Sequence, residues 1–247
     1  MVKALNLALL QEMERDPDVL ILGEDVGVDG GVFRVTDDLQ RKFGSQRVID
    51  SPLAEAAIIG TAVGMALYGL KPVCEIQFSG FAFQCFHQIE NHAARYRMRS
   101  QGRFHCQMVI RMPYGGGVRA LEHHTESEEQ FYAHVPGLKM VIPSGPRTAR
   151  ALLTSAIRDP DPVIFFESKA LYHAAKEEIP EESETLPIGR AQVVTRWTMP
   201  MFPCWIATSW LTFAITSSVS FFKVLICSRA RPRVKTSSCR CFTALIA

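Results

Sequence analysis

The chain has 247 residues, of which 47% are hydrophobic and 21% are charged, a composition typical of a soluble globular protein with one large or two small domains. Its net charge of +2 argues neither for nor against a nucleic-acid partner. The seven cysteines are an odd number without a Cys-x-x-Cys pair. We therefore predict neither a disulfide framework nor a zinc site, and we expect a cytoplasmic location.

Charge is unevenly distributed along the chain. Residues 1–196 carry 21 Lys and Arg side chains against 25 Asp and Glu, a net charge of −4, whereas residues 197–247 carry six basic side chains and no acidic one, a net charge of +6. This last segment also holds all three tryptophans and four of the seven cysteines. Domains seldom change composition so sharply, so we treat the two parts as different in kind.

The apolar pattern predicts helices alternating with short strands. The first helix ends at Asp16-Pro17 and lacks the uninterrupted apolar core of a signal peptide. Strands are predicted over residues 19–22, 47–49, 72–76, 108–110, 138–142 and 162–166, and helices over residues 36–43, 52–69, 80–98, 126–133 and 145–157. We therefore expect an α/β fold, a parallel sheet with helices on both faces, whose ligands bind beyond the carboxyl ends of the strands.

Carboxylates follow two of the predicted strands. Glu55 lies near the start of an apolar helix that Ser51 and Pro52 are predicted to open. Burial disfavours a charged carboxylate, so Glu55 could exchange a proton near neutral pH, although a first-turn acid that complements the helix dipole explains it as well. Glu24 and Asp25, directly after the first strand, are either site carboxylates or ordinary loop acids.

A glycine-rich turn leads to a pair of histidines. Residues 115–117 are all glycine and follow a strand, which lets the backbone approach a ligand or a partner closely. His123 and His124 suit proton transfer and anion stabilisation, although two solvated imidazoles at a polar helix start explain them equally well. Four arginines complement a helix end or face an acidic partner, and without an aromatic platform they predict no nucleic-acid partner: Arg95, Arg97, Arg99 and Arg103.

Several long segments, in order and in register, resemble one family. They are GEDVG, GGVFRVT, RVIDSPLAEAAIIGTAVGMALYGLKPVCEIQF, RMPYGGG, EHHTES, AHVPGLKMVIPS and AIRDPDPVIFFE. Residues 1–195 closely resemble the beta subunit of the decarboxylating component of 2-oxoacid dehydrogenase complexes, which acts on pyruvate or branched-chain 2-oxoacids with thiamine diphosphate. The resemblance implies a transketolase-like, pyrimidine-binding domain over residues 1–175.

The resemblance also implies roles for single residues. Glu55 matches the acid that protonates the aminopyrimidine ring of thiamine diphosphate, the cofactor that acts as the electron sink for loss of carbon dioxide. Phe81 matches an aromatic that packs on the pyrimidine, Gln77 lies on the same lining, and Glu24 matches an acid near that end of the cofactor. His124 matches the histidine that handles the substrate carboxylate or the transfer of the acyl group to lipoyl.

Other features of the family bear on metals and partners. A structural potassium site of some relatives aligns, chiefly through backbone carbonyls, with Met108, Ala156, Asp159 and Asp161, although Pro160 alters the local pattern. The chain has no Gly-Asp-Gly motif, which in the family lies on the alpha subunit and holds magnesium and the diphosphate. The resemblance therefore implies an alpha2-beta2 heterotetramer that shares the cofactor and docks on a lipoyl-bearing acyltransferase core, and it disfavours a single-chain transketolase-like enzyme.

The resemblance ends near residue 195. We interpret residues 176–194 as a linker and the start of a second domain that is lost, and residues 195–247 as a non-family tail read out of frame. A tail anchor over residues 201–227 is the rival interpretation, but Lys223 and many Ser and Thr disfavour insertion, so no membrane partner is predicted. The favoured function is pyruvate dehydrogenation, with a branched-chain 2-oxoacid dehydrogenase or an inactive truncated remnant as alternatives.

Overall fold

The computed structural model describes residues 1–117, 119–174, 176–190, 192–197, 224–227 and 241–245. The strands of its first part are β1 Val19–Gly23, β2 Val48–Asp50, β3 Lys71–Glu75, β4 Val109–Tyr114, β5 Lys139–Val141 and β6 Val163–Ser168. The α-helices are α1 Val2–Arg15, α2 Leu39–Phe43, α3 Glu55–Tyr68, α4 Tyr96–Arg99, α5 Glu129–Ala133, α6 Pro146–Arg158 and α7 Leu171–Ala174. Two 3₁₀-helices, Ser79–Cys85 and Glu122–His124, and a π-helix, Gln88–Ala93, complete it.

The six strands form one parallel sheet in the order β2-β1-β3-β4-β6-β5. Adjacent strands run parallel throughout, with Ile21 beside Val73 and Ile110 beside Ile164. The central strands are buried on both faces, which explains why they read as continuous apolar runs in the sequence rather than as alternating ones. The predicted fold class, a parallel sheet with helices on both faces, is confirmed.

Each face of the sheet has its own apolar layer. On one face Ile59 of α3 packs in a cluster with Ile110 of β4 and Phe166 of β6, together with the segment that follows β3. On the other face α1 and α6 pack against each other and contact β1 and β6. Leu9 of α1 and Leu153 of α6 are fully buried there. The two layers fix the strands, and the strand ends carry the loops described below.

Two predicted helices differ from the structure. The helix predicted from residue 52 begins at Glu55, and its N-cap is Ala54 without a side-chain hydrogen bond, so the predicted cap at Ser51 is wrong. The single helix predicted over residues 80–98 is also wrong. It is divided into the 3₁₀-helix Ser79–Cys85, the π-helix Gln88–Ala93 and the short α4.

The segment after α7 has neither helix nor strand over residues 176–188. It is nevertheless fastened to α6. The Arg147 guanidinium donates to both carboxylate oxygens of Glu184, at 2.9 and 2.7 Å, and Arg150 donates to the carbonyl oxygens of Pro180 and Glu181. Residues 176–188 belong to the first compact unit, Met1–Ile188.

The second compact unit, Gly189–Ala247, is described only in part. Its described strands are β7 Gln192–Trp197, β8 Val224–Cys227 and β9 Cys241–Leu245, which form an antiparallel sheet in the order β7-β9-β8. The predicted boundaries at residues 175 and 194 and the out-of-frame interpretation stay predictions. Most of residues 201–227, the rival tail anchor, lie outside the described residues, and within the described part no helix is long and apolar enough to cross a membrane.

Candidate functional site

The predicted site residues lie at the carboxyl edge of the sheet. Glu24 follows β1, Glu55 opens α3 a few residues after β2, and Gln77 follows β3. The loop that carries His124 comes after β4. Because all strands are parallel, these segments meet at one edge, where ligands of such sheets bind.

Glu55 is a buried carboxylate at the first position of α3. Its side chain belongs to a residue only 4% exposed, and its Oε2 atom has no hydrogen-bond partner within the described part of the chain. A buried polar atom without a partner is costly in a native structure, so it marks a place where a ligand group completes the hydrogen bonding. The negative charge of Glu55 also contributes to raising the pKa of Glu24.

Glu24 and its neighbours form an acidic group beside Glu55. Partial burial raises the pKa of Glu24 most, and the charges of Asp25 and Glu55 raise it further. Gln77 donates from Nε2 to Oδ2 of Asp25 over 3.0 Å, which ties the loop after β3 to the loop after β1. Asp25 has a φ of 55°, the left-handed region that Asp tolerates better than most residues. The structure thus brings Glu24, Glu55 and Gln77 to the same edge.

His124 packs against two aromatic rings. Its ring centroid lies 4.6 Å from that of Phe78 and 5.2 Å from that of Phe81, both in edge-to-face geometry. Its Nδ1 atom is buried and has no hydrogen-bond partner among the described residues, whereas His123 is exposed. The two histidines therefore occupy different environments, and His124 is the one that contacts the predicted site residue Phe81.

Residues 121–126 form the turn that carries His123 and His124, named here the histidine turn, and it packs against the 3₁₀-helix that follows β3. A Cβ atom at Gly80 would lie 2.3 Å from the carbonyl oxygen of His123, so only glycine permits this approach. The Ser79 hydroxyl donates to the carbonyl oxygen of Glu126 over 3.3 Å, and the amide of Gly115 donates to the same oxygen over 2.8 Å. Contacts on both sides thus hold the turn in place.

Lys169, just after β6, contacts this turn and was missed by the sequence analysis. The residue is 5% exposed, and its Nζ atom donates to the carbonyl oxygen of His124 over 2.5 Å. Burial lowers its pKa to about 8, although the charge of Glu128 opposes this shift. The available signal was its place directly beyond the carboxyl end of a strand, the position that singled out Glu24.

A buried charge network lies inside the same end of the sheet. The guanidinium of Arg111, on β4, donates to Glu75 of β3 over 2.6 Å and to both carboxylate oxygens of Glu167 of β6, over 2.7 and 2.8 Å. The Tyr172 hydroxyl donates to Glu167 over 2.6 Å. Burial, followed by the charge of Glu167, raises the pKa of Glu75, whereas Arg111 lowers it. This network could not be predicted from the sequence, because its members are far apart along the chain.

The four residues predicted for potassium lie elsewhere. Met108 precedes β4, and Ala156, Asp159 and Asp161 precede β6, so they occupy the amino edge of the sheet, opposite the other candidates. The ammonium of Lys139 lies 2.7 Å from Asp159 and 3.2 Å from Asp161. The carbonyl oxygens of Met108 and Ala156 accept backbone amides of the same region.

The contacts of these four residues do not favour a cation site. Both carboxylates already face an ammonium, and the two carbonyl oxygens already accept hydrogen bonds. Within the described ranges no group of three or more His, Cys, Asp and Glu side chains could hold a metal ion. Potassium binding through backbone carbonyls stays a prediction.

Similarity to known proteins agrees with this geometry. Residues 1–174 match the family described as "Transketolase, pyrimidine binding domain", and the chain belongs to that family. That family is transketolase-like, and such a family implies dependence on thiamine diphosphate.

Individual relatives of this chain are beta subunits of 2-oxoacid dehydrogenases. The chain is 52% identical over 205 residues to the pyruvate dehydrogenase E1 component subunit beta of Acholeplasma laidlawii, which covers 83% of this chain and 63% of that protein. It is 50% identical over 195 residues to the protein of the same name from Mycoplasma pneumoniae, covering 79% and 60%. The 2-oxoisovalerate dehydrogenase subunit beta of Bacillus subtilis is 49% identical over 192 residues, covering 78% and 59%. The resemblance predicted from the sequence is confirmed.

A solved structure supports the fold alone. A chain titled "Split gene transketolase, inactive beta4 tetramer" superposes with a TM-score of 0.61 at 19% identity, over 79% of this chain and 58% of that one. The chain spans about three fifths of the length of the relatives named above, 59–63%.

Proposed function

We propose that the chain is the beta subunit of a thiamine-diphosphate-dependent pyruvate dehydrogenase, which decarboxylates pyruvate and transfers the acetyl group to lipoyl. The observation that carries the proposal is the buried carboxylate of Glu55, beside the acidic group at the carboxyl edge of the sheet, whose Oε2 atom has no hydrogen-bond partner among the described residues. Such an atom fits a hydrogen-bonding ring nitrogen of a bound cofactor. Identity of about one half to pyruvate dehydrogenase beta subunits supports the choice of reaction.

The residues present fit the pyrimidine end of thiamine diphosphate. Glu55 and Glu24 would face its polar edge, and Gln77 and Phe81 would line its ring, with Phe81 offering an aromatic face. When bound, the cofactor supplies an electron sink for the decarboxylation. Magnesium and the diphosphate belong in this proposal to the alpha subunit, because the chain has no Gly-Asp-Gly motif.

The chain's own residues have separate tasks in the reaction. Glu55 holds and releases a proton at Oε2, the buried oxygen of its carboxylate. Phe78 and Phe81 exclude water beside His124. His124 orients an anionic group, either the substrate carboxylate or the acyl acceptor, through an imidazole that can donate hydrogen bonds.

The relatives also guide the proposal of a substrate, of partners and of a location. Several relatives named as pyruvate dehydrogenases favour pyruvate, whereas the relative from Bacillus subtilis supports a branched-chain 2-oxoacid as the second candidate. The proposed partners are an alpha subunit, in an alpha2-beta2 heterotetramer, and a lipoyl-bearing acyltransferase core, in the cytoplasm. An inactive remnant, the alternative already given from the sequence, is the rival function.

The experiment replaces Glu55 by Gln in the chain assembled with its alpha partner, thiamine diphosphate and magnesium. Gln fills the same space but cannot release a proton to the cofactor ring. We expect the rate of pyruvate decarboxylation, followed with an artificial electron acceptor, to fall by about 10²- to 10⁴-fold. Glu14→Gln, on the exposed side of α1, is the matched control and should leave the rate unchanged.

Two outcomes would count against the proposal. A Glu55→Gln variant that turns over at nearly the normal rate would remove Glu55 from the chemistry. A wild-type chain with no 2-oxoacid-dependent turnover, beside a longer relative that is active with the same alpha subunit, would favour the inactive remnant. Comparing pyruvate with branched-chain 2-oxoacids in the active assembly decides the substrate.

A further inference from the structure

Lys169 is an ammonium group buried under the histidine turn. It follows β6 directly, is 5% exposed, and donates to the carbonyl oxygen of His124 over 2.5 Å. The same Nζ atom lies 5.1 Å from the centroid of the Phe78 ring, and that ring contacts the His124 imidazole edge-to-face. Lys169 therefore touches both the backbone of His124 and the aromatic ring that supports its side chain.

Burying an ammonium is costly, so stability alone gives a poor reason for a lysine at this position. The nearest compensation is Glu128, which is 3% exposed and whose charge favours the protonated form of Lys169. No ion pair within 4.0 Å joins Lys169 to an acid among the described residues, in contrast to Lys71 and Lys139. The main partner of this ammonium is thus a carbonyl oxygen of the site.

We propose that Lys169 is a positioning residue for the reaction: its ammonium fixes the histidine turn, residues 121–126, and the ring of Phe78, so that the His124 imidazole faces the reacting groups. The proposal rests on the proposed function, because it assigns Lys169 to whichever step His124 serves. Lys169 itself does not contact the substrate or the cofactor in this assignment.

The protonation state of Lys169 gives the proposal a pH signature. Its pKa is lowered to about 8 by burial, with Glu128 opposing, so the ammonium is lost as the pH rises through about 8. Glu126 and His124 lie on the turn packed above it, and Glu167 and Tyr172 lie on its own strand end and helix. We expect the step served by His124 to slow as the pH rises through this range, because a neutral amine loses its attraction to the ring and weakens its bond to the carbonyl.

The first test needs only the chain itself. Lys169→Met keeps the length of the side chain and removes the donor, so hydrogen exchange of the amides in residues 121–126 should become about tenfold to a hundredfold faster. Lys71→Met is the matched control, because it removes a part-buried lysine paired with Asp16 at the other edge of the sheet. Unchanged protection of residues 121–126 in the Lys169→Met chain, relative to wild type, would overturn the proposal.

The second test is a double-mutant cycle in the assembled enzyme. Decarboxylation and acyl transfer to lipoyl are measured separately for Lys169→Met, His124→Ala and the double variant. We expect Lys169→Met to slow by about tenfold the same step as His124→Ala, and the double variant to be no slower than His124→Ala alone. Lys169→Arg, which stays charged, should recover most of the rate and extend activity to higher pH.

The outcomes separate this proposal from the proposed function. If His124→Ala leaves both steps at their normal rates, the role of His124 is wrong, whatever Lys169 does. If His124→Ala slows a step and Lys169→Met does not, or if the two effects simply multiply, Lys169 is not the residue that positions His124. The rate of the step that His124 serves could also fall at alkaline pH in the same way in wild type and in Lys169→Arg. That result would count against the proposal.

Discussion

At the scale of single residues, Arg111 shows how much the site depends on buried charge. The residue is fully buried, and its guanidinium bonds to two carboxylates on the neighbouring strands, Glu75 and Glu167. Three charged groups in the interior are tolerated only because each has partners of good geometry. The network fixes the ends of β3, β4 and β6 relative to one another, and these ends carry Gln77, the histidine turn and Lys169.

Replacing Arg111 by Met should therefore destabilise the chain strongly. The variant leaves Glu75 and Glu167 buried without their cation, and we expect the free energy of unfolding at pH 8 to fall by about 3–5 kcal/mol. Burial raises the pKa of Glu75, so the folded variant binds more protons than the unfolded chain. The loss in free energy of unfolding, relative to wild type, should therefore become smaller as the pH falls towards 5. Urea denaturation at the two pH values measures both effects.

An exposed ion pair is the control for this experiment. Arg41 pairs with Asp38 at 3.0 Å while both side chains remain largely exposed, so Arg41→Met should change the free energy of unfolding by less than about 1 kcal/mol. Equal losses in the Arg111 and Arg41 variants would mean that the buried network contributes no more than a surface pair. A deficit in Arg111→Met that is independent of pH would exclude protonation of the carboxylates as its compensation.

At the scale of elements, the strands were predictable and the long helix was not. All six strands of the parallel sheet were found because a strand buried on both faces appears as a short apolar run. The predicted helix over residues 80–98 keeps its buried positions, Ala82, Cys85, Ile89 and Ala93, at helical spacing. A tight 3₁₀ turn followed by a wide π turn preserves that spacing. The apolar pattern therefore cannot distinguish this arrangement from one α-helix.

The residues of the candidate site likewise include some that the sequence could predict and some that it could not. Glu24, Glu55 and Gln77 could be placed from the sequence, because they follow strands of a parallel sheet whose carboxyl ends meet. Lys169 and Arg111 could not, because their roles depend on which loops and strands become neighbours. The apolar helix α3 is also not buried on every side, since Gly60, Gly64 and Tyr68 are exposed.

Two glycine-to-alanine substitutions test the packing of these elements with opposite expected signs. A Cβ atom at Gly80 would collide with the carbonyl oxygen of His123, whereas one at Gly64 of α3 meets nothing within 4 Å. We expect Gly80→Ala to lower the free energy of unfolding by about 1–3 kcal/mol and to slow the step that His124 serves. Gly64→Ala should raise it by about 0.5–1 kcal/mol, because alanine favours a helix interior.

Thermal and urea unfolding of the isolated chain measure both glycine variants. The isolated chain is the appropriate sample, because α3 exposes Gly64 there and no partner surface complicates the comparison. If Gly80→Ala is as stable as wild type, the 3₁₀-helix and the histidine turn are not in the close contact described. If both variants lose stability equally, backbone conformation rather than the approach of His123 determines the cost.

At the scale of the whole chain, residues 176–188 make more contacts with the first compact unit than a free linker would. They carry no helix or strand, yet they supply carbonyl oxygens to Arg150, a side chain of α6 that is 2% exposed, and a carboxylate to Arg147. A charged, proline-bearing segment without apolar period has no sequence signal for such docking. It belongs to the first compact unit, Met1–Ile188.

Truncation tests whether the first unit needs this segment and stands without the second. A chain ending at Ile188 keeps every contact within the unit Met1–Ile188, so it should unfold cooperatively with a free energy of unfolding close to that of residues 1–188 in the entire chain. A chain ending at Ala174 removes the carbonyl oxygens of Pro180 and Glu181 from the buried guanidinium of Arg150, which keeps its hydrogen bond to Oε1 of Gln11. We expect it to lose about 1–3 kcal/mol relative to the chain ending at Ile188.

The two truncations also separate two readings of the C-terminal residues. Equal stability of the entire chain and the chain ending at Ile188 means that residues 189–247 add nothing to the first unit, as expected of a non-family tail. A large loss on cutting at Ile188 would instead make those residues part of the folded protein. Arg150→Met in the chain ending at Ala174 completes the comparison, because removing a guanidinium already deprived of Pro180 and Glu181 should recover part of the lost stability.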